Sequence, residues 1–280
     1  MTVVDAHQHF WDIDRDAHAW LADLPAINRT FGPDDLRPRL EANDVDATVL
    51  VEVGSSVEET ERFCSLAEET DFVAGVVGWV DLRAPDVADV LARLQEGANG
   101  RWLAGIRHQV QGEEDDWLAA ADVHRGLRAV GEAGLAYDVL VFPRHLEAAL
   151  EAVRACPQTR FVIDHIAKPP IADGELEPWA SRMRPFGQLD NVWCKLSGMV
   201  TEADHRSWRP DDLKPYVDRV VEWFGTDRVM FGSDWPVCLL ASDYDVVAQT
   251  LRDLLGPLDA GTHDRVWGGN AVELYGLFDR

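Results

Sequence analysis

The sequence predicts an α/β protein, specifically a (β/α)8 TIM barrel with its active site at the C-terminal ends of the strands. Three observations predict it: short apolar runs recur along all 280 residues, amphipathic helical segments stand between them, and no linker divides the chain. The runs are VVDAH at 3–7, ATVLVEV at 47–53, FVAGVVGWV at 72–80, LAGIRH at 103–108, LAYDVLV at 135–141, RFVIDHI at 160–166, NVWCKLSG at 191–198 and RVMFGSDW at 228–235. Strands set mostly about 25–45 residues apart leave room for a crossover helix each, which makes the sheet parallel. Eight such units suit a barrel, somewhat distorted if need be, better than an open doubly wound sheet.

The helical segments are 57–70, 85–97, 122–134, 145–155, 174–187, 211–225 and 243–255, several of them opened by Asp, Ser or Pro at the expected start positions. After the first strand, 10–35 reads as a long loop carrying Trp11, Trp20 and Pro25. Two uses of that loop stay open: closing over the barrel mouth, or packing against the barrel bottom. With no Ser/Gly linker, charge block or low-complexity tract, 1–280 reads as a single domain.

A chain with 46% hydrophobic and 27% charged residues folds into a globule, which excludes disorder. Its 26 basic residues against 50 acidic ones give a formal charge of −24, so neither nucleic acid nor an anionic membrane is an expected partner. Cys64, Cys156, Cys194 and Cys238 lie far apart with no CxxC pair, which suggests neither a zinc-finger framework nor a redox dithiol. The N-terminus lacks a basic region followed by a long apolar stretch, and no run approaches about 18 apolar residues. The expectation is a cytoplasmic protein; a homo-oligomer is compatible with the sequence.

Polar residues gather at the C-terminal ends of the strands: His7 and His9, Glu52, Arg107 and His108, Tyr137 and Asp138, His165, Lys195, and Asp234. In a barrel these ends meet on one face, the face that holds active sites. Period-two alternation in the first strand puts Asp5, His7 and His9 on one side, so two imidazoles can reach a common point. An HxH pair alone is a weak signal. With His165 in DHIAKPP and Asp234 in FGSDWP it becomes a set of N and O donors that a catalytic Zn²⁺ accepts. Asp234 has a second reading, as a partly desolvated carboxylate with a raised pKa that serves as general base for water.

DAHQHFWD at 5–12, GIRHQVQ at 105–111, FVIDHIAKPP at 161–170, KLSGM at 195–199, FGSDWPV at 231–237 and the closing WGGNAVELYGL at 267–277 together resemble the amidohydrolase superfamily. The likeness is to amidohydrolase family 2 and its sugar-lactone hydrolase branch, whose members include L-fuconolactonases and L-rhamnonolactonases. The resemblance implies a distorted barrel that opens small aldonolactones. It carries His7 and His9 onto the family's first-strand pair, His165 onto its sixth-strand histidine, and Asp234 onto the eighth-strand aspartate that serves as base or metal ligand. Two positions depart from the pattern of metal-dependent relatives: strand five ends in Tyr137 and Asp138 instead of histidine, and Arg107 and His108 replace a bridging lysine on strand four. That argues against a binuclear centre and leaves one divalent ion, Zn²⁺, or metal-free working.

Opening a lactone needs an activated water, a group that stabilises the oxyanion, and a proton for the departing alkoxide. Asp234 is expected to deprotonate the water, with the ion or the His7/His9/His165 cluster polarising the carbonyl. Gln8, Glu52, Arg107, His108, Tyr137 and Lys195 are the expected contacts to a polyhydroxylated ring. Lys195 could instead sit in an ion pair with Glu52 or Asp138. Trp11, Trp193 and Trp235 flank these positions, where rings stack on sugar C–H surfaces. Arg144 and His145 read as a solvated helix start or as ligand contacts, and His18, His124, His205 and His263 as surface residues. Two other functions remain open to these residues: a metal-dependent decarboxylase of aromatic or unsaturated acids, and a barrel that binds sugar without turnover.

Overall fold

The computed structural model describes residues 2–15 and 19–278. Eight parallel strands run in sequence order around one sheet: β1 (Val4–Gln8), β2 (Ala47–Val51), β3 (Val73–Gly78), β4 (Leu103–Gln109), β5 (Ala136–Leu140), β6 (Arg160–Ile163), β7 (Val192–Leu196) and β8 (Val229–Phe231). A bridge between Gln8 and Trp235 brings β8 back to β1 and nearly closes the barrel. Each expected strand is present; β1 and β4 run one residue past their expected C-terminal ends, and the others are trimmed where the chain turns into a loop.

Helices α1 (Pro33–Ala42), α2 (Val57–Glu69), α3 (Val87–Glu96), α4 (Ala121–Glu132), α5 (Leu146–Ala155), α6 (Trp179–Met183), α7 (Met199–Glu202), α8 (Pro210–Phe224) and α9 (Tyr244–Leu255) lie between or after the strands. The expected helix over 174–187 is reduced to α6 and a 3-10 turn at Arg184–Gln188, because Pro178 and Pro185 interrupt the backbone ladder. The loop expected over 10–35 ends early, in α1. That helix buries only Leu36 and Leu40 and carries Pro38 inside, so its apolar pattern is thin. Two C-terminal helices, α10 (Ala260–Asp264) and α11 (Asn270–Tyr275), also had no counterpart in the sequence reading.

Two apolar layers hold the barrel. The larger lies between strands and helices; the smaller fills the barrel itself with Val4, Ala6, Val49, Val77, Ala136, Val162, Trp193 and Met230. Ala271, Leu274, Tyr275 and Leu277 from the C-terminal segment close its lower end. With the bottom plugged by apolar side chains, the polar strand ends are left at the other end. All four cysteines are unpaired and buried. Among the described residues, no helix is long and apolar enough to cross a membrane.

On α2, Glu59 fixes the loop after β2: its Oε2 accepts from the amides of Val53 at 2.9 Å and Gly54 at 2.8 Å. Burial pushes the Glu59 carboxyl up to about 7 from an ordinary 4.5. Between those values the native chain keeps a proton that the unfolded chain has released, so this group's contribution to stability falls as pH rises. Glu59→Gln keeps an acceptor for the two amides and does not titrate. Its melting temperature should therefore gain on that of the wild type from pH 5 to pH 8, by an amount worth on the order of 2–3 kcal/mol. Calorimetry over that range checks it, and a pH-independent gap would refute it.

Candidate active site

The site begins with an irregularity in β1. Asp5 pairs with Thr48 and Gln8 with Leu50, so Ala6 and His7 both stand opposite Val49. The extra residue is a β-bulge, which re-aims side chains on the bulged strand. It breaks the expected alternation: Asp5 does not share a face with His7 and His9. Asp5 instead accepts from the Ser233 amide at 2.8 Å and from Tyr244 Oη of α9 at 3.1 Å, and burial pushes its carboxyl up to about 6. His7 and His9 do converge, their Nε2 atoms 3.1 Å apart. His9 Nδ1 lies 2.8 Å from the Val51 carbonyl, which can only accept, so Nδ1 carries the proton and Nε2 keeps its lone pair.

His165 follows β6 in a turn where His165, Ile166, Ala167 and Lys168 all have positive φ, from 47° to 60°. Four successive non-glycine residues in this region cost about 1–2 kcal/mol each, which the buried surroundings must offset. The turn breaks strand alternation, so Asp164 and His165 both reach the barrel mouth and Lys168 comes back to its rim. Ser197 Oγ lies 2.8 Å from His165 Nδ1 and fixes the ring. Gly198, at φ 63°, makes room for it: a Cβ there would lie 2.6 Å from both Cγ and Nδ1 of His165. Gly198→Ala should therefore displace the imidazole. The expected result is a loss of kcat/KM of roughly tenfold or more together with about 1–2 kcal/mol of stability. Kinetics and thermal melting check it; wild-type kinetics would contradict it.

Asp234 stands beyond β8 at φ 57°, its amide donating to the His7 carbonyl at 2.8 Å. Its Oδ1 lies 3.5 Å from His9 Nε2, 3.7 Å from His165 Nε2 and 3.8 Å from His7 Nε2. Burial works to raise this carboxyl, but His165, His9 and His7 overcome it and hold Asp234 below the ordinary carboxylate range. The raised pKa expected from its neighbours Trp235 and Pro236 is thus reversed, and the group is ionised at neutral pH. Burial also drives the His165 imidazole down to about 4, and burial with Lys195 nearby depresses His7, so both rings are neutral.

Beneath the histidines runs a buried ladder of alternating charge. Glu52 accepts from Arg107 Nε at 2.8 Å, Arg107 Nη1 reaches Asp164 at 3.1 Å, and Lys195 Nζ lies 3.0 Å from Asp164 and 2.5 Å from Asp138. Tyr275 Oη donates to Asp138, and Lys195 Nζ is 3.0 Å from His7 Nδ1. Glu52 is held on its other oxygen by Gln109 Nε2 at 3.1 Å, so it orients Arg107 and has no oxygen left over for a metal. Lys195 is fully buried with Asp138, one of the two ion-pair partners considered for it, and lies below the cleft floor, so it is not placed to touch substrate.

Above this floor opens a cleft of about 330 Å³, lined by His9, Glu52, Arg107, Gln109, Gln111, His165, Lys168 and Asp234 and walled by Trp11, Trp20, Leu24, Val53, Leu140 and Val237. The segment after β1 thus supplies part of the mouth, the first of the two uses left open for it. Three expected substrate contacts lie elsewhere, because neighbours on a strand face opposite ways. The register pairs Arg107 with Asp138, which leaves His108 and Tyr137 pointing out of the barrel. His108 stacks on Trp117 at 4.3 Å and bonds Trp79 Nε1 and Glu113; Tyr137 packs against Phe161. Gln8 also faces outward, its amide donating to Thr48 Oγ1 at 3.1 Å.

Trp193 sits inside the barrel and Trp235 packs against Phe10 and Phe31, so neither forms a wall of the cleft. Arg144 and His145 tether the loop after β4 through the carbonyls of Gln111 and Glu113 and do not themselves line the cleft. His205 and His263 are exposed, His124 is half-buried, and His18 lies outside the described residues. Sequence reasoning missed Asp164, Lys168, Ser197, Gln109 and Gln111. All five stand in the motifs GIRHQVQ, FVIDHIAKPP and KLSGM or within two residues of a chosen histidine, which was the available signal.

The donors are spaced for one divalent ion, which would take the His7 Nε2 lone pair that now faces Arg107 Nη1 at 3.3 Å. Tetrahedral zinc with bonds of 2.0–2.1 Å places its ligand atoms about 3.3 Å apart. The His7, His9 and Asp234 donor atoms are separated by 3.1, 3.5 and 3.8 Å and are all buried. A second group, His7, Asp164 and His165, also converges, but Asp164 is already bound by Arg107 and Lys195.

A parallel barrel with histidines and an aspartate converging at the strand ends presents a site spaced to hold one divalent ion. A family model described as amidohydrolase matches residues 4–277, and the chain belongs to that family. An L-fucono-1,5-lactonase of Burkholderia ambifaria is 43% identical over 97% of this chain and 94% of its own length. One of Burkholderia multivorans is 38% identical over 98% and 96%. The crystal structure of an amidohydrolase from Burkholderia multivorans with bound zinc superposes with a TM-score of 0.92, at 38% identity, over 99% of this chain and all of the other.

Proposed function

We propose that the protein opens an uncharged aldonolactone of the L-fucono-1,5-lactone type to its aldonic acid. The observation that carries this reading is the Asp234 carboxylate, ringed by three imidazoles at 3.5–3.8 Å on the floor of a cleft with aromatic and aliphatic walls. The full-length relatives, both named as lactonases, supply the substrate class. Asp234, ionised at neutral pH, accepts a proton from the water that attacks the ring carbonyl. Neutral His165 and the Arg107 guanidinium line the same floor and offer hydrogen bonds where the carbonyl oxygen gains charge. As the bond from carbonyl carbon to ring oxygen breaks, the proton held by Asp234 passes to that oxygen, leaving a hydroxy acid. Zinc held by His7, His9 and Asp234 would polarise the same carbonyl as a Lewis acid. Trp11 and Trp20 offer faces to the ring's C–H surface.

Decarboxylation of an aromatic acid is not favoured: both relatives that match over nearly the whole chain are named as lactonases, and both cationic side chains of this cleft are engaged by acidic partners. A barrel that only binds sugar would leave the Asp234 arrangement without a use. The test is proton release over a panel of aldonolactones and acidic lactones, on protein assayed for metal before and after chelation. Turnover lost on chelation and restored by Zn²⁺ is the expected result. Turnover indifferent to chelation would remove the ion and leave the rings and Arg107 as the polarising groups, and no lactone turnover with metal present would overturn the reading.

A further inference from the structure

Both cations that line the cleft are already paired. Arg107 is ion-paired with Glu52 and Asp164. Lys168, brought to the rim by the left-handed turn that carries His165, has its Nζ 2.8 Å from Glu202 Oε1 on α7. These two side chains are only 17% and 19% exposed, so solvent screens the pair less than it would at an open surface. Lys168 lines the cleft, whereas Glu202 stands behind it and does not.

We propose that Glu202 is a specificity-determining residue: by neutralising Lys168 it leaves the rim of the cleft without a spare positive charge and restricts it to uncharged lactones. The inference rests on the lactonase reading above. A ring bearing a carboxylate would have to place that group at the rim beside Lys168, whose charge Glu202 already neutralises, and a buried unpaired charge is costly. The formal charge of −24 acts in the same direction, keeping anionic substrates away and favouring release of the carboxylate product. If the pair were merely a tether between the loops after β6 and β7, breaking it would change stability and leave selectivity alone.

The test compares kcat/KM for an aldonolactone and for the matching aldarolactone, in which a carboxylate replaces the terminal hydroxymethyl group. Wild type, Glu202→Gln and the double variant Glu202→Gln with Lys168→Met are measured. The aldarolactone-to-aldonolactone ratio should rise about tenfold or more in Glu202→Gln, shrink with added salt, and fall back in the double variant. If Glu202→Gln does not fold, Glu202→Ala gives the same reading. An unchanged ratio, a gain that survives loss of Lys168, or a wild type that opens both rings equally well would overturn the filter. A wild type that opens neither ring would instead overturn the lactonase reading on which it rests.

Discussion

Asp234→Asn is expected to give a folded protein that opens its lactone at least about a thousandfold more slowly than the wild type. The backbone at this position is left-handed, a conformation asparagine tolerates, and its amide bond to the His7 carbonyl does not involve the side chain. What the variant loses is the negative charge. An amide cannot take a proton from water, and it is a poorer ligand beside His7 and His9. A melting temperature close to that of the wild type with turnover near background supports the assignment. Retention of more than a tenth of the activity would place the base elsewhere.

The second large effect belongs to Lys195→Met. The ammonium is fully buried between Asp138 and Asp164, and methionine would fill its volume without its charge. Removing one partner of a buried ion pair costs about 3–5 kcal/mol, which for a domain of this size lowers the melting temperature by on the order of 10 °C. The loss should depend on pH. Burial already raises the Asp138 carboxyl to about 6 with Lys195 present, and without that cation it rises further. Below that point Asp138 takes a proton and the penalty shrinks, so the gap to wild type should be widest above pH 7 and narrow toward pH 5. A uniform gap, or none, would contradict the charge-ladder account.

Strand order and the histidine and aspartate positions were legible because they depend on local pattern. Apolar runs of strand length mark the sheet, and HxH, DH and SDW at their ends mark the mouth. What could not be read was side-chain parity wherever the backbone departs from a regular strand. The bulge at Ala6 and His7 turns Asp5 away from the histidines it should accompany, and only the pairing with β2 reveals it. The left-handed turn after β6 adds Asp164 and Lys168 to the site for the same reason. Elsewhere the parity is regular and admits only half of the expected contacts: Arg107 with His108, and Tyr137 with Asp138, are adjacent pairs of which one member must face outward. Asking which member shares its face with the small interior residue Ala136 selects Asp138 and rejects Tyr137. The plug formed by α11 needs the finished barrel to give its apolar face a place, so its role has no local signature.

The measurement that tests the central claim most directly is hydrolysis of a freshly prepared L-fucono-1,5-lactone-type ring by zinc-supplemented protein. Proton release gives the rate, and ¹³C NMR identifies the product. The expected result is conversion to the open-chain aldonate well above the spontaneous rate, lost in Asp234→Asn. A ring that opens no faster with the wild-type protein than in buffer, across the aldonolactone panel, would contradict the account.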